Sequence, residues 1–191
     1  MVDFNQLVPW ALMNFSLAMA MVAIFIAILS MIVNIFTRKK TGFEIIYAWM
    51  SLLALGATCI YAFVMHGFFP EAAATAIGWQ TSPFQFEVAV ANLGFGLIGI
   101  FAFCASYGFR VANVIGATCW LWGDAGGHIY QMVMKHDYAF GNSGSWFWMD
   151  ILIPAILIIC LLKMRNRVEP KAKYKPEPVR KVEPEFVKND S

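Results

Sequence analysis

Long stretches without a charged residue dominate this chain. No Asp, Glu, Lys or Arg occurs from Phe4 to Thr37, from Ile45 to Pro70 or from Val88 to Phe109. A fourth run, Val111 to about Met134, is broken only by Asp124 and His128, and a short fifth, about Trp146 to Leu162, carries Asp150 near its start. Roughly 20 apolar residues in a helix cross a ~30 Å hydrocarbon core. The pattern therefore predicts an all-α, polytopic transmembrane helical bundle of five spans, at about residues 8–36, 45–68, 83–107, 111–134 and 146–163. That bundle takes up residues 1–165, and residues 166–191 form a separate charged, Pro-rich tail.

The breaks between the runs carry signals of their own. In Ser82-Pro83-Phe84-Gln85 the serine suits the cap, proline the first helical position and glutamine the closing position of a capping box, so the third helix is expected to begin at Pro83. Pro70 through Ile77 reads as a short Ala-rich interfacial helix with Glu71 in its first turn, and Gly141-Asn142-Ser143-Gly144 as the turn into the fifth span. Trp79, Phe84, Phe86, Trp146 and Trp148 gather at one set of span ends and Tyr47, Trp49 and Tyr107 at the other, as aromatic belts do. From Val168 onward a loose Pro-Glu theme with little apolar surface predicts disorder.

Composition agrees: 60% of the 191 residues are hydrophobic and 14% charged, against about 45–50% and about 25% in soluble domains, which excludes a water-soluble monomer. Charge then orients the bundle. The last 29 residues hold nine Lys/Arg and five Asp/Glu, a net +4, and the other 162 hold five and seven, a net −2. With the Arg38-Lys39-Lys40 loop inside by the positive-inside rule, Arg110 and the tail also fall inside. Thirteen of the fourteen basic residues then share one side, with Lys135 alone outside. The expected topology is N-terminus out and C-terminus in, in the inner (cytoplasmic) cell membrane. An acidic start with Asp3 and no basic residue before Arg38 argues against a cleaved signal peptide. The tail is expected to meet anionic lipid headgroups or a protein partner, and the charge layout does not suit nucleic acid.

Ionisable groups inside a bilayer are costly, so each is a functional candidate. Asp124, His128 and Gln131 are spaced i, i+4 and i+7 on one face of the fourth helix, and Trp120 lies one turn before Asp124. Antiparallel packing about a turn centred near Phe109 would bring Glu87 level with Gln131, Asn92 level with Gly126 and Gly127, and Gly94 level with Asp124. Gly94, Gly96 and Gly99 on one helix and Gly123, Gly126 and Gly127 on the other would allow close approach. A polar ligand-binding site in the outer leaflet, of Glu87, Asn92, Trp120, Asp124, His128 and Gln131, follows from this spacing.

Several chemistries compete for it. One is a polar network that only fixes helix register. A second is a small-molecule or quinone site, where a carboxylate and an imidazole exchange a proton with a polar headgroup. Proton or substrate translocation would need a relay through the inner halves of the spans, which offer only side chains such as Asn34, Asn113 and Thr118. His66 and His128 could in principle hold a bis-histidine haem, but no HExxH, repeated ExxH or CxxCH motif occurs and no metal site is expected. His136 reads as a solvated loop residue. Cys59, Cys104, Cys119 and Cys160 lie within spans without a CxxC pair and read as packing residues.

Ile77-Gly78-Trp79, Ser82-Pro83-Phe84-Gln85-Phe86-Glu87, Ala91-Asn92-Leu93-Gly94, Gly123-Asp124, Gly127-His128-Ile129 and Gly141-Asn142 resemble a family of small multi-pass prokaryotic membrane proteins of unknown function. The resemblance covers roughly residues 45 to 162 and implies no known activity. More distantly, the short Gly-rich bundle is similar in architecture to DoxX-type membrane proteins, some of them linked to quinone and sulfur-compound oxidation, which implies a tilt toward a quinone-related role. The expected function is an integral membrane protein binding a lipid-soluble or small polar ligand between the third and fourth helices, with Asp124 and His128 proton-active and Glu87 at the mouth. The alternative is a non-catalytic subunit or assembly factor of a membrane complex, or a homo-oligomer. No catalytic set is assigned, the reading leans away from an enzyme, and no resident cofactor is expected beyond the quinone or haem alternatives.

Overall fold

The computed structural model describes residues 10–37 and 39–168. Residues 166–168, expected to open the disordered tail, continue the last helix, and the rest of that tail from residue 169 onward, with Arg38, lies outside the described residues. Within them the chain is helical and without strands: α1 (Phe15–Thr37), α2 (Gly42–Phe68), α3 (Pro70–Ile77), α4 (Phe84–Phe101), α5 (Tyr107–Lys135), α6 (Phe140–Ser143) and α7 (Ser145–Val168). Four stretches are long and apolar enough to cross a membrane: Phe15–Thr37, Gly42–Phe68, Phe84–Phe101 and Phe140–Arg165, with mean hydropathies of 2.7, 1.8, 1.6 and 2.2. The 29 residues of α5 would extend ~43 Å at 1.5 Å per residue. Arg110, Asn113, Asp124, His128 and Gln131 make it the most polar of the long helices.

Local chemistry accounts for the helix ends, and in two places differs from expectation. α2 opens on a capping box: Thr41 Oγ1 accepts from the Glu44 amide at 3.1 Å, and the Glu44 carboxylate accepts from the Thr41 amide. The box expected at α4 does not form. Pro83 already has helical angles, the Gln85 amide bonds the Ser82 carbonyl at 3.0 Å, and the Gln85 side chain reaches across to His66 Nδ1 of α2. Bonding between helices has taken the glutamine away from its own helix end.

The break between α4 and α5 falls at residues 102–106, centred on 104 instead of 109. Arg110 folds back over it, with Nε donating to the Ala102 carbonyl at 3.2 Å and Nη2 to the Phe103 carbonyl at 3.0 Å. These bonds occupy carbonyls that a helix end leaves without partners. The shift of about five residues changes which residues of the two helices stand level. His128 stands beside Trp79, which precedes α4, instead of beside α4 itself.

Packing departs further from the expected pairing of spans three and four. α4 lies mainly along α2, and α5 mainly along α7; α4 and α5 meet only sparsely. The reason is visible in the glycines. A Cβ on Gly99 would stand 3.0 Å from the Ser51 carbonyl oxygen and 3.1 Å from Gly56 Cα, and one on Gly96 would strike Ile60 at 2.8 Å. Both glycines therefore let α4 approach α2. Gly94, Gly123, Gly126 and Gly127 have nothing within 4 Å of that position.

Along this contact α2 widens into a π-helical stretch, Met50–Ala57, and Ser51 Oγ donates to the Gly99 carbonyl at 2.9 Å. π-turns are rare and set side chains at angles an α-helix does not offer. α2 runs through the centre of the core. Tyr47, Met50, Ala54, Leu55 and Cys59 are buried there against Ala20 and Ala23 of α1, Val114, Ala117 and Leu121 of α5, and Ile153, Leu157 and Cys160 of α7. Small residues at these crossings supply the close packing that stands in for a hydrophobic driving force in lipid.

The bundle has two chemically distinct ends. One holds the turn before α2, the α4–α5 break and the end of α7, and with them Lys39, Lys40, Arg110, Lys163 and Arg165. The other holds α3, α6 and the loop after α5, with Glu71, Asp137 and Lys135. α3 forms where its Ala-rich sequence indicated.

Candidate functional site

The most developed polar cluster lies at the second end, where α3, α5, α6 and α7 meet. Gly78 stops α3 in the left-handed conformation (φ +87°), and the amides of Gly78 and Trp79 bond the Ala74 carbonyl at 3.0 and 2.9 Å. A Cβ at Gly78 would stand 2.5 Å from Asp137 Oδ1, and one at Gly141 would stand 2.6 Å from the Ala76 carbonyl oxygen. Both positions therefore require glycine, and through them the end of α3 seats on the loop that follows α5. The turn sends Trp79 over the His128 ring, at 5.8 Å between centroids.

His128 is the hub. Its Nδ1 lies 2.7 Å from Asn142 Oδ1, and Asn142 Nδ2 donates to the carbonyls of Asp137 at 2.8 Å and His128 at 3.4 Å. Because the amide nitrogen faces two carbonyls, the amide orientation is fixed and its oxygen faces the imidazole. Nδ1 must then carry the proton and donate. Nε2, the remaining nitrogen, lies 3.7 Å from Asp150 Oδ2, and the residues are only 9% exposed each. At that distance the two are not hydrogen-bonded, but a neutral imidazole lone pair facing an ionised carboxylate would be repulsive in an apolar interior, so the contact favours one protonated member. The arrangement is an acid–base pair oriented by an amide, suited to exchanging one proton with a third group.

Among the residues expected in the site, Asp124 stands nearest this pair, half-buried one turn along α5 from His128 and within electrostatic reach of Asp150. Among the described residues no hydrogen bond or ion pair engages its carboxyl. Trp120 stacks on Phe95 of α4 at 5.5 Å, with its buried Nε1 lacking a partner. Gln131 is half-buried one turn beyond His128. Asn92 is buried but donates to the Val88 carbonyl of its own helix at 3.0 Å, and Glu87 is exposed. Thus Asp124, His128 and Gln131 share a face, and Glu87 and Asn92 are not joined to it by any described bond. His66 pairs with Gln85, not with His128.

Asp150, Asn142 and Trp79 are the residues that spacing on a single helix could not supply. Asp150 carried a usable signal, since an acid six residues into an apolar helix is as costly as one at its centre. Asn142 and Trp79 stood out in the sequence only as a turn residue, a belt aromatic and members of the family pattern, none of which joins them to His128.

A second polar cluster sits nearer the basic end. Asn113 Nδ2 is shared between Tyr47 Oη at 3.0 Å and Ser51 Oγ at 3.1 Å, Tyr47 donates to the Arg110 carbonyl at 3.2 Å, and the Arg110 guanidinium lies 5.0 Å above the Tyr47 ring. The core layer of Ala54, Ala117, Leu121, Ile153 and Leu157 separates the two clusters. Among the described residues no group of three or more His, Cys, Asp or Glu side chains is placed to hold a metal ion. Cys59 and Cys160 are buried and Cys104 and Cys119 exposed, all as free thiols.

Compared with known proteins, residues 13–170 match the model of a family described only as being of unknown function. No curated protein and no solved structure matches the chain.

Proposed function

The chain belongs to the DUF6790 family of unknown function, and we propose that it is a five-span membrane protein binding a lipid-soluble ligand with a hydrogen-bonding headgroup, of the quinone class, at His128. In this reading α5 crosses together with the four more apolar helices, the basic end faces the cytoplasm of the inner membrane, and the His128 cluster lies toward the outer leaflet. The observation that carries it is the buried His128 Nε2–Asp150 Oδ2 contact of 3.7 Å with the unbonded Asp124 one helical turn away. Asp150 and His128 form the proton-active pair, and Asp124 offers the ligand a carboxyl. Trp120 and Gln131 flank it on α5, and the open faces of Gly123, Gly126 and Gly127 leave room beside it for a flat ring. Asn92 and Glu87 of α4 would mark the far edge. The distant likeness to DoxX-type proteins favours a quinone among such ligands.

Mass spectrometry of lipids extracted from the purified protein tests this. A prenyl quinone or similar headgroup lipid retained by the native chain should be lost in Asp124→Asn and His128→Ala. An extract no different from that of an unrelated membrane protein, or one unchanged in both variants, overturns the ligand reading. Orientation has its own test: an impermeant maleimide should label exposed Cys104, at the basic end, in inside-out vesicles and not in right-side-out ones.

A second reading rests on Asn142, which pins His128 to the loop after α5. The cluster then locks α5, α6 and α7 together in a structural subunit or assembly factor, and the tail recruits a partner. Under it, Asp124→Asn and His128→Ala lower thermal stability without changing any bound molecule, and removing residues 169–191 abolishes a partner pulldown.

A further inference from the structure

At the basic end the last turns of α1, Lys39 and Lys40, the first turns of α2 and Phe103 line an open cavity of about 250 Å³ that the His128 reading does not involve. Its walls are apolar, formed by Val33, Ile45, Ala48, Trp49 and Phe103, and Thr37, Lys39 and Lys40 bring polar and cationic groups to it. The aromatic wall is fixed: Trp49 meets Phe103 edge to face at 5.0 Å, and its indole nitrogen donates to Ser30 Oγ at 2.9 Å. The Lys40 backbone is held as well. Asn34 Nδ2 donates to the Lys40 carbonyl at 2.6 Å, and Asn34 Oδ1 accepts from the Lys40 amide at 3.1 Å and from Thr37 Oγ1 at 3.3 Å. The carboxylate of Glu44 is turned to the Thr41 amide, and among the described residues no ion pair engages either lysine.

We propose that this cavity seats the phosphate headgroup of an anionic phospholipid. Two exposed lysines, Lys40 held by Asn34 through its backbone, bring cationic side chains to the cavity, and the apolar walls beside them say which anion. A free inorganic ion would leave those walls unfilled and would be desolvated against them at a cost. A phospholipid satisfies both parts, its phosphate at Lys39 and Lys40 and its glyceryl carbons against Trp49 and Phe103. Its acyl chains then run along the membrane-facing side of α1, where Val33 is 64% and Phe36 86% exposed. Basic pockets between spanning helices on the cytoplasmic side are the recurrent setting for headgroup binding.

Native mass spectrometry of the full chain in detergent, titrated with phosphatidylglycerol, phosphatidylcholine or inorganic phosphate, tests the proposal. One phosphatidylglycerol should be retained per chain in preference to phosphatidylcholine. The double variant Lys39→Gln/Lys40→Gln should weaken it about thirty-fold, the contribution of two lysines near an anionic surface. Val33→Trp, which keeps every charge and alters an exposed residue at the cavity, should also lose the adduct. Lys163→Gln, basic and at the same end but outside the cavity, should keep it. Equal retention of the two lipids, an equal loss in Lys163→Gln, or displacement of the lipid by inorganic phosphate at equal concentration would each overturn the site. None of these outcomes depends on what binds at His128.

Discussion

Replacing Gly99 by alanine should be among the most damaging single-methyl changes available in this protein, and replacing Gly94 on the same helix among the most harmless. The added carbon at Gly99 lies 3.0 Å from the Ser51 carbonyl oxygen and 3.1 Å from both Gly56 Cα and Gly56 N. All three are backbone atoms, so no flexible side chain can swing away. Overpacking of this kind costs about 1–3 kcal/mol, and forcing α4 outward also strains the 2.9 Å Ser51 bond to the Gly99 carbonyl, worth about 1 kcal/mol. Together that is about 2–4 kcal/mol, or a fall of roughly 5–15 °C in Tm for a chain of this size. At Gly94 nothing lies within 4 Å, so alanine should be neutral or stabilise by up to about 1 kcal/mol through helix propensity. Thermal unfolding of both variants in one detergent, followed by tryptophan fluorescence, reads the difference directly. Equal destabilisation by the two would refute the packing of α4 on α2 and restore the pairing of α4 with α5.

Asn142→Ala leaves the His128 Nδ1–H and the Asp137 carbonyl without their partner, a loss of about 2–4 kcal/mol; a Tm within 2 °C of the native protein would show that the clamp is dispensable. Thr41→Ala removes half of the capping box at α2 and should cost about 1 kcal/mol, measured by the same unfolding, with no loss expected if the first turn is held by Asn34 alone. His136 adopts φ +53° on an exposed residue that ends α5, so His136→Gly should stabilise by about 0.5–1 kcal/mol; a lower Tm would mean the imidazole makes a contact that matters.

Much of the helical layout could be read from the sequence because charge-free runs and Pro, Gly and Ser punctuation are local properties. Pro70–Ile77 is the clearest case: proline, a glutamate in the first turn and Gly78 after the end all act within one short segment. The face shared by Asp124, His128 and Gln131 could be read for the same reason, since one helix fixes it. What one helix does not fix could not be read. The capping glutamine at Gln85 was claimed by His66, 19 residues away. The break at residues 102–106 is stabilised by Arg110 folding back, and α4 turned to α2 instead of to α5. Glycines look alike in sequence, yet Gly96 and Gly99 meet α2 and Gly94 meets nothing. The difference depends on the neighbour, not on the residue. Asp150 joined His128 only because α6 turns the chain back.

The position of α7 has a consequence for how the protein is made. Ile153 and Leu157 complete the core, Asp150 meets His128, and Trp146 Nε1 donates at 2.8 Å to the carbonyl of Met13, 133 residues earlier. Synthesis runs from the N-terminus at about 5–20 residues per second, so for the seconds needed to produce the last helix the faces of α2 and α5 that α7 will cover stand open. His128 then has Asn142 but not its carboxylate. The nascent bundle thus passes through a state in which the core and the polar cluster are both one helix short. A chain stopped before Ser145 would stay in that state, so the arrival of α7 closes the core and the polar cluster in one step.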